Sequence, residues 1–205
     1  MKQQPDKLQF ITAIQKVISD QEKRKHWKVV HRSETKRANM IMEIWSFRRK
    51  RYNIMEKVTK YKARICAHSV MQEKRMNYWE TYAPVVQYMS VIIMLILEAI
   101  KNLFTKSIDS ILAYPQAELY VDIYMVLPQG FNVGPGSGRY VLKLQKDLYG
   151  LNQAGHNWFE KLYSAPGNLS INPSKVDPCV FVGDDIIVLV YFDDSFFLRD
   201  KDKIN

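Results

Sequence analysis

The segment Ile186-Ile-Val-Leu-Val-Tyr-Phe-Asp-Asp-Ser-Phe-Phe-Leu198 decides the fold. Ile186 to Phe192 is an unbroken apolar run, rich in β-branched and aromatic residues, the composition of a buried strand. Asp193 and Asp194 interrupt it, and Ser195 to Leu198 resumes the apolar pattern. Two strands meeting at Phe192, Asp193 and Asp194 predict a β-hairpin with two carboxylates at its tip. Adjacent like charges repel, and each is stabilised by water or a cation. Asp is also a favoured turn residue, and Asp184 and Asp185, beside Gly183, read as a solvated turn. Asp193 and Asp194 differ in having apolar strand on both sides. A tip held against a core is a platform for Mg²⁺, which takes oxygen ligands in a strict octahedron.

Working outward, Phe104 to Asp109 predicts a short strand ending on a third carboxylate, with Ala113 and Tyr114 opening a new helix. Three carboxylates on neighbouring strands can hold two metal ions about 3.5–4 Å apart, the arrangement that stabilises the attacking and leaving oxygens of an in-line phosphoryl displacement. Further upstream, Met1 to Lys36 reads as helical, with Phe10, Ile11, Ile14, Val17 and Ile18 at helical spacing. Within it, Trp27 to Val30 is more strand-like. Ile44 to Phe47 predicts a strand running into a basic turn at Arg48, Arg49, Lys50 and Arg51. Tyr61 to Ala67 predicts a strand with Lys62 and Arg64 on one face and Ala63 and Ile65 on the other. After Pro84, Tyr88 to Asn102 is too long and too free of Gly and Pro for a strand, and predicts a buried helix. Ile123 to Leu127 and Tyr140 to Leu144 predict strands around a Gly134-Pro-Gly-Ser-Gly138 loop. No Lys-Ser/Thr follows that loop, so it reads as a hairpin connection rather than a phosphate cradle. Asn157 to Ser164 predicts a helix, Pro166 to Asn168 and Asn172-Pro173 an irregular stretch, and Cys179 to Val182 a short strand.

The whole chain of 205 residues is 47% hydrophobic and 25% charged, which excludes a disordered, collagen-like or coiled-coil protein and fits one domain. Two cysteines, Cys66 and Cys179, make no disulfide framework. With no secretory signal, an intracellular location, cytoplasmic or nuclear, is expected. The longest purely apolar run, Val91 to Leu97, is far short of the ~20 residues of a membrane span. The net charge of +9 is unevenly spread. Residues 1–80 carry 20 basic and 8 acidic side chains, and residues 81–205 carry 10 and 13. A basic first part suggests contact with a polyanion, and an acidic second part suggests cation chemistry. Trp27, Trp45, Trp158 and Phe181 read as core, and Met71, Met76 and Met89 as packing. Cys66 and His68 alone are no zinc site, which needs four ligands.

Seven motifs, in order, carry a resemblance. They are Tyr61-Lys-Ala-Arg64 with Ile-Cys-Ala after it, Glu80-Thr-Tyr-Ala-Pro-Val-Val86, Asp109 to Met125, Leu127-Pro-Gln-Gly-Phe131, Leu148-Tyr-Gly-Leu-Asn-Gln-Ala154 with Trp158, Asp177-Pro-Cys-Val-Phe181, and Tyr191-Phe-Asp-Asp194. The sequence resembles the reverse transcriptase of copia-type LTR retrotransposons from about Trp27 to Leu198. The resemblance implies an α+β fold, the fingers and palm of a right-hand polymerase, with an antiparallel palm sheet flanked by helices. Fingers would take about 1–84 and 118–160, and palm about 85–117 and 161–205. The chain ends 11 residues after Asp194, which on this reading leaves one truncated fingers–palm domain without thumb or RNase H.

The resemblance also implies roles. Asp109, Asp193 and Asp194 would be the catalytic carboxylates and, with the Ser110 backbone carbonyl, would hold two Mg²⁺, with Mn²⁺ able to substitute. Tyr114 matches the aromatic steric gate that excludes a 2′-hydroxyl. Its simpler reading is a core aromatic. Lys62 and Arg64 would bind the incoming triphosphate, where a guanidinium grips phosphate bidentately. Surface charge is their simpler reading. Gln153, with Asn152 beside it, would lie near nucleotide and template. Tyr191 and Phe192 complete the hairpin motif, Phe192 where Val is commoner. Other departures are Asn152 for Lys, Gly155-His156 for Pro-Arg, Ile92 for Arg, and Pro115 directly after the gate. The expected activity is RNA-directed DNA polymerisation on an RNA or DNA template–primer with dNTPs, with integrase and RNase H as polyprotein neighbours in an intact element. Two alternatives stay open: an inactive remnant that binds nucleic acid non-specifically, and a two-metal nuclease. The nuclease reading leaves the gate and the ordered motifs unexplained.

Overall fold

A computed structural model describes residues 6–36, 38–51, 58–110, 112–164 and 171–201. The stretch Pro166 to Asn168 lies outside the described residues. The chain divides into two compact units, residues 1–79 with 118–154, and residues 80–117 with 155–205. Secondary structure is α+β, with three α-helices and eleven strands among the described residues.

The first unit opens with α1 (Lys7–Lys23). The helix ends well before Lys36, because Trp27–His31 is a strand, β1, and Arg32–Thr35 a 3₁₀ turn. The β-branched pair Val29-Val30 favours the pleated backbone over a continued helix. Strand β2 (Met40–Ile41) leads to β3 (Glu43–Arg51) and β4 (Val58–Ala67). The basic run Arg48 to Arg51 is therefore strand and not turn. It is held extended because Arg48, Arg49 and Lys50 pair in register with Lys62, Tyr61 and Lys60. Alternation puts Phe47 and Arg49 with Ala63 and Tyr61 on the face toward α1. Phe10 packs edge-on against Phe47 and Tyr61, each at 5.1 Å. Asp6 accepts from the Tyr61 hydroxyl and pairs with Arg49 at 2.6 Å. After β5, which belongs to the second unit, come β6 (Tyr124–Val126) and β7 (Tyr140–Leu144). They complete a mixed sheet ordered β1-β7-β6-β2, antiparallel except for β2 with β6. Gly150, at φ 90°, is required where it stands, because a Cβ there would lie 2.3 Å from the Ala67 carbonyl oxygen.

The second unit holds α2 (Tyr88–Lys101), β5 (Phe104–Asp109), α3 (Ala154–Ser164), β8 (Asn172–Pro173), β9 (Val180–Val182), β10 (Ile186–Tyr191) and β11 (Asp194–Arg199). Its sheet runs β5-β11-β10-β9-β8, antiparallel throughout. Val86, Met94, Phe159, Cys179, Leu189 and Leu198 form one core cluster between helices and sheet, and Phe181, Val188 and Val190 form another. Burial and the neighbouring Asp177 push the Cys179 thiol up to about 11, so it behaves as a small apolar side chain.

Helix α2 has the expected extent but is not a buried helix. Met94 is 6% exposed, while Tyr88 and Ile100 are each 76% exposed, and Met89, Ile93 and Ile96 share that outer face. Met76 and Met89 likewise lie in the open rather than in packing. Trp27, Trp158 and Phe181 are buried as expected, and Trp45 is half-buried. The start of α2 is capped from a distance. Asp177, 2% exposed, accepts from the Gln87 N–H at 2.8 Å, the Ser90 hydroxyl at 2.6 Å and the Cys179 N–H at 3.0 Å. A carboxylate there also meets the positive end of the helix dipole. Among the described residues no helix is long and apolar enough to cross a membrane.

Two stability predictions follow from these buried polar groups. Asp177→Ala strands three donors and should lower the unfolding free energy by about 3 kcal/mol, measured by urea titration. An unchanged midpoint would mean the cap contributes nothing. In the first unit, His26 is buried, with its Nδ1 against the Gln21 side-chain oxygen. Burial first, then the charges of Lys146 and Arg24, lowers its pKa from 6.5 to about 4. Between those values the unfolded chain holds a proton that the folded chain lacks, so stability falls as pH falls through that window. Thermal melting should show a loss from pH 7 to pH 5 that shrinks in His26→Asn.

Candidate active site

The site is built on the pairing of three strands. Tyr191 pairs with Asp194 across β10 and β11, which leaves Phe192 and Asp193 as a two-residue turn. Asp194 in turn pairs with Asp109 across β11 and β5. The N–H of Ser110, next after Asp109, donates to the Asp193 carbonyl at 2.7 Å. The structure thus brings Asp109, Asp193, Asp194 and Ser110 to one end of one sheet. Asp109 and Asp194 are exposed and Asp193 half-buried, with its Oδ1 shielded from solvent.

The turn is strained. Phe192 has φ 50°, in the left-handed region that Gly supplies at the first position of some two-residue hairpin turns. For a bulky residue this costs about 1–3 kcal/mol. The residue is 42% exposed, and its ring packs edge-on against Tyr191 at 5.1 Å. Its carbonyl accepts from the Trp158 indole N–H at 2.9 Å. Trp158 reads from sequence as core alone. No periodicity signals the second use of its indole, because an N–H inside an apolar pattern looks the same whether or not an acceptor waits for it.

Tyr114 follows Asp109 by five residues, as the resemblance requires, but starts a 3₁₀ turn, Tyr114–Gln116, and no α-helix. Pro115 and the left-handed Leu112 (φ 56°) break the chain's regularity there. Tyr114 is half-buried. Burial, and next the negative charge of Asp193, raises its phenol pKa above the ordinary 10, so the hydroxyl stays protonated at neutral pH.

Asp109, Asp193 and Asp194 offer hard oxygen donors, the kind Mg²⁺ and Mn²⁺ take. Among the described residues, however, no three His, Cys, Asp or Glu side chains are gathered into a ready metal cage. The donor chemistry and strand placement fit a divalent ion; the side-chain geometry is not that of a closed cage.

The remaining candidates lie in the first unit. Ser46, Arg48 and Lys50 on β3 stand opposite Arg64, Lys62 and Lys60 on β4, all on one face. Ser46, Phe47, Arg48, Lys62 and Arg64 line a shallow depression of about 260 Å³. The Arg64 guanidinium lies 6.0 Å from the Tyr149 ring centre. Gln153 is buried, with its amide accepting from Gln72 and donating to the Asn77 carbonyl. Asn152 donates its N–H to the same Gln72 and its side-chain amide to the Ser69 carbonyl.

Comparison with known proteins sets this arrangement in a family. The family model described as reverse transcriptase (RNA-dependent DNA polymerase) matches residues 24–204. The chain belongs to the reverse transcriptase family. It is 32% identical over 203 residues, 97% of its length, to the Retrovirus-related Pol polyprotein from transposon TNT 1-94 of Nicotiana tabacum. It is 34% identical over 154 residues, 73% of its length, to the Retrovirus-related Pol polyprotein from transposon RE1 of Arabidopsis thaliana. It is 25% identical over 193 residues, 92% of its length, to the Transposon Ty1-NL2 Gag-Pol polyprotein of Saccharomyces cerevisiae. These relatives bear out the copia-type resemblance carried by the motifs. The chain spans 15%, 10% and 10% of their respective lengths.

Because the turn holds a bulky residue at positive φ, Phe192→Gly should leave the hairpin intact and raise the unfolding free energy by about 0.5–1 kcal/mol. Urea unfolding measures it, and a clear loss of stability would show that the turn carries no strain.

Proposed function

We propose that this chain carries the nucleotidyl-transfer centre of an RNA-directed DNA polymerase, joining a dNTP to a primer 3′ end on an RNA or DNA template. The observation that carries the reading is the placement of Asp109 opposite Asp194, with Asp193 tied to Ser110 at the same sheet end. On this reading the second unit is the palm and the first the fingers of a right-hand polymerase. The unit boundaries near residues 80, 118 and 155 support that division.

Asp109 and Asp193, with Asp194 beside them and the Ser110 carbonyl, would hold two Mg²⁺ or Mn²⁺. The chemistry a divalent ion supplies in such a site is charge neutralisation at the attacking and leaving oxygens of phosphoryl transfer. Tyr114 presents a protonated phenol on a half-buried ring, suited to lie against a sugar and crowd a 2′-hydroxyl. Lys62 and Arg64 contact triphosphate, and Arg48, Lys50 and Lys60 on the same face contact nucleic-acid backbone. Gln153 acts by holding Gln72 and Asn77 in place. In an intact element the partners would be the rest of the polyprotein, integrase and RNase H included.

A second reading is a catalytically inactive chain that binds nucleic acid non-specifically. It is favoured by the absence of a three-carboxylate cage among the described residues. Primer extension separates the two, run with Mg²⁺ and with Mn²⁺ on the chain alone and fused to the downstream region of an intact relative. The polymerase reading expects extension that falls at least about a hundredfold in Asp193→Asn, several kcal/mol of charge stabilisation being removed. No extension in either form leaves the second reading. Both readings expect salt-sensitive binding, since residues 1–80 carry the excess of basic charge. Log affinity should fall linearly with log salt, and replacing Arg48, Lys50 and Lys60 with Ser should reduce the slope by roughly two to three. A slope unmoved by that triple change would place the contact elsewhere.

A further inference from the structure

Two hydrogen bonds enclose Asp193. The peptide before it ends at the Phe192 carbonyl, which accepts from the Trp158 indole N–H at 2.9 Å. The peptide after it begins at the Asp193 carbonyl, which accepts from the Ser110 N–H at 2.7 Å. With both flanking peptide planes fixed, the direction of the Cα–Cβ bond of Asp193 is fixed as well. The second bond ties Asp193 to the strand end that bears Asp109. The first ties it to α3, whose next residue, Phe159, belongs to the core cluster with Cys179, Leu189 and Leu198. Trp158 is itself 5% exposed, so its ring is seated before it donates.

The turn needs such a hold. Phe192 sits at φ 50°, a conformation a bulky side chain leaves unless its surroundings enforce it. In a two-residue turn the first residue's carbonyl has no partner strand, so its satisfaction must come from outside the hairpin. The only side-chain donor that reaches it among the described hydrogen bonds is the Trp158 indole.

We infer that Trp158 is a positioning residue for the metal-binding carboxylate of Asp193, acting through the Phe192 carbonyl. The inference rests on the proposed function of the same sheet end, and it assigns to a core tryptophan the role that outer-shell hydrogen bonds play around metal ligands.

The test is Mn²⁺ affinity of the full chain, read from the electron paramagnetic resonance of free Mn²⁺, together with the indole N–H signals of ¹⁵N-labelled protein. Parent chain should bind Mn²⁺ in a manner lost in Asp193→Asn. Failure there overturns the metal site itself, and with it the role of Trp158. Given that binding, Trp158→Phe should weaken it roughly tenfold, the order seen when an outer-shell partner is removed. Phe159→Leu, a core change one residue away that spares the indole, should leave it within about twofold, since no outer-shell bond is lost. The indole signal missing in Trp158→Phe should be the one broadened most by Mn²⁺ in the parent. Unchanged affinity in Trp158→Phe overturns the inference. So does equal weakening by Phe159→Leu.

Discussion

The register of β11 is the constraint on which the rest of the second unit depends. Held between β10 and β5, it has no freedom to slide, because side chains alternate faces with a period of two. A slip of one residue would send Leu198 out of the core and Ser195 off its buried face. The apolar pattern that fills the core thus also sets which residue of β11 stands opposite Asp109. Placement of the carboxylates is a by-product of burying Leu189 and Leu198 in one cluster, and needs no attraction between like charges.

Much of that pattern was legible in the sequence. The run at 140–144 alternates with a strand period and the one at 186–192 is apolar throughout, and these, with 104–109 and 195–198, appear as strands with nearly the bounds the residues suggest. So does the strand around Tyr61 to Ala67, with Lys62 and Arg64 on the face away from Ala63 and Ile65. The ordered motifs point to the family on their own. Burial on one face leaves a periodic trace, and turn residues mark the ends.

What stayed hidden was set by partners distant in sequence. Arg48 to Arg51 look like a solvated turn because charge repels locally, yet pairing with β4 keeps them extended. The apolar stretch of α2 reads as buried because periodicity counts side chains and does not reveal which neighbours exist to cover them. Here Met94 has its cover and Ile100 does not. The helix opening at Tyr114 was shortened to a 3₁₀ turn by Pro115 and a left-handed Leu112. Asp177 caps α2 across a long stretch of chain, which no local capping rule detects. Trp158 and Gln153 show the same limit for hydrogen bonds. Their polar atoms are committed to acceptors and donors that only the fold brings near.

The pairing of Asp109 with Asp194 joins positions 85 residues apart, and much of the intervening chain belongs to the other unit. Strand β11 also leaves the ribosome after every other strand described. During synthesis β5 therefore waits with an unpaired edge while the first unit's second segment is made, and such edges invite misassociation. The carboxylate end of the sheet is the last part of the second unit to be completed. A nascent chain halted before β11 would expose Phe104 to Asp109 without its partner strand, the kind of unpaired edge on which misassociation starts.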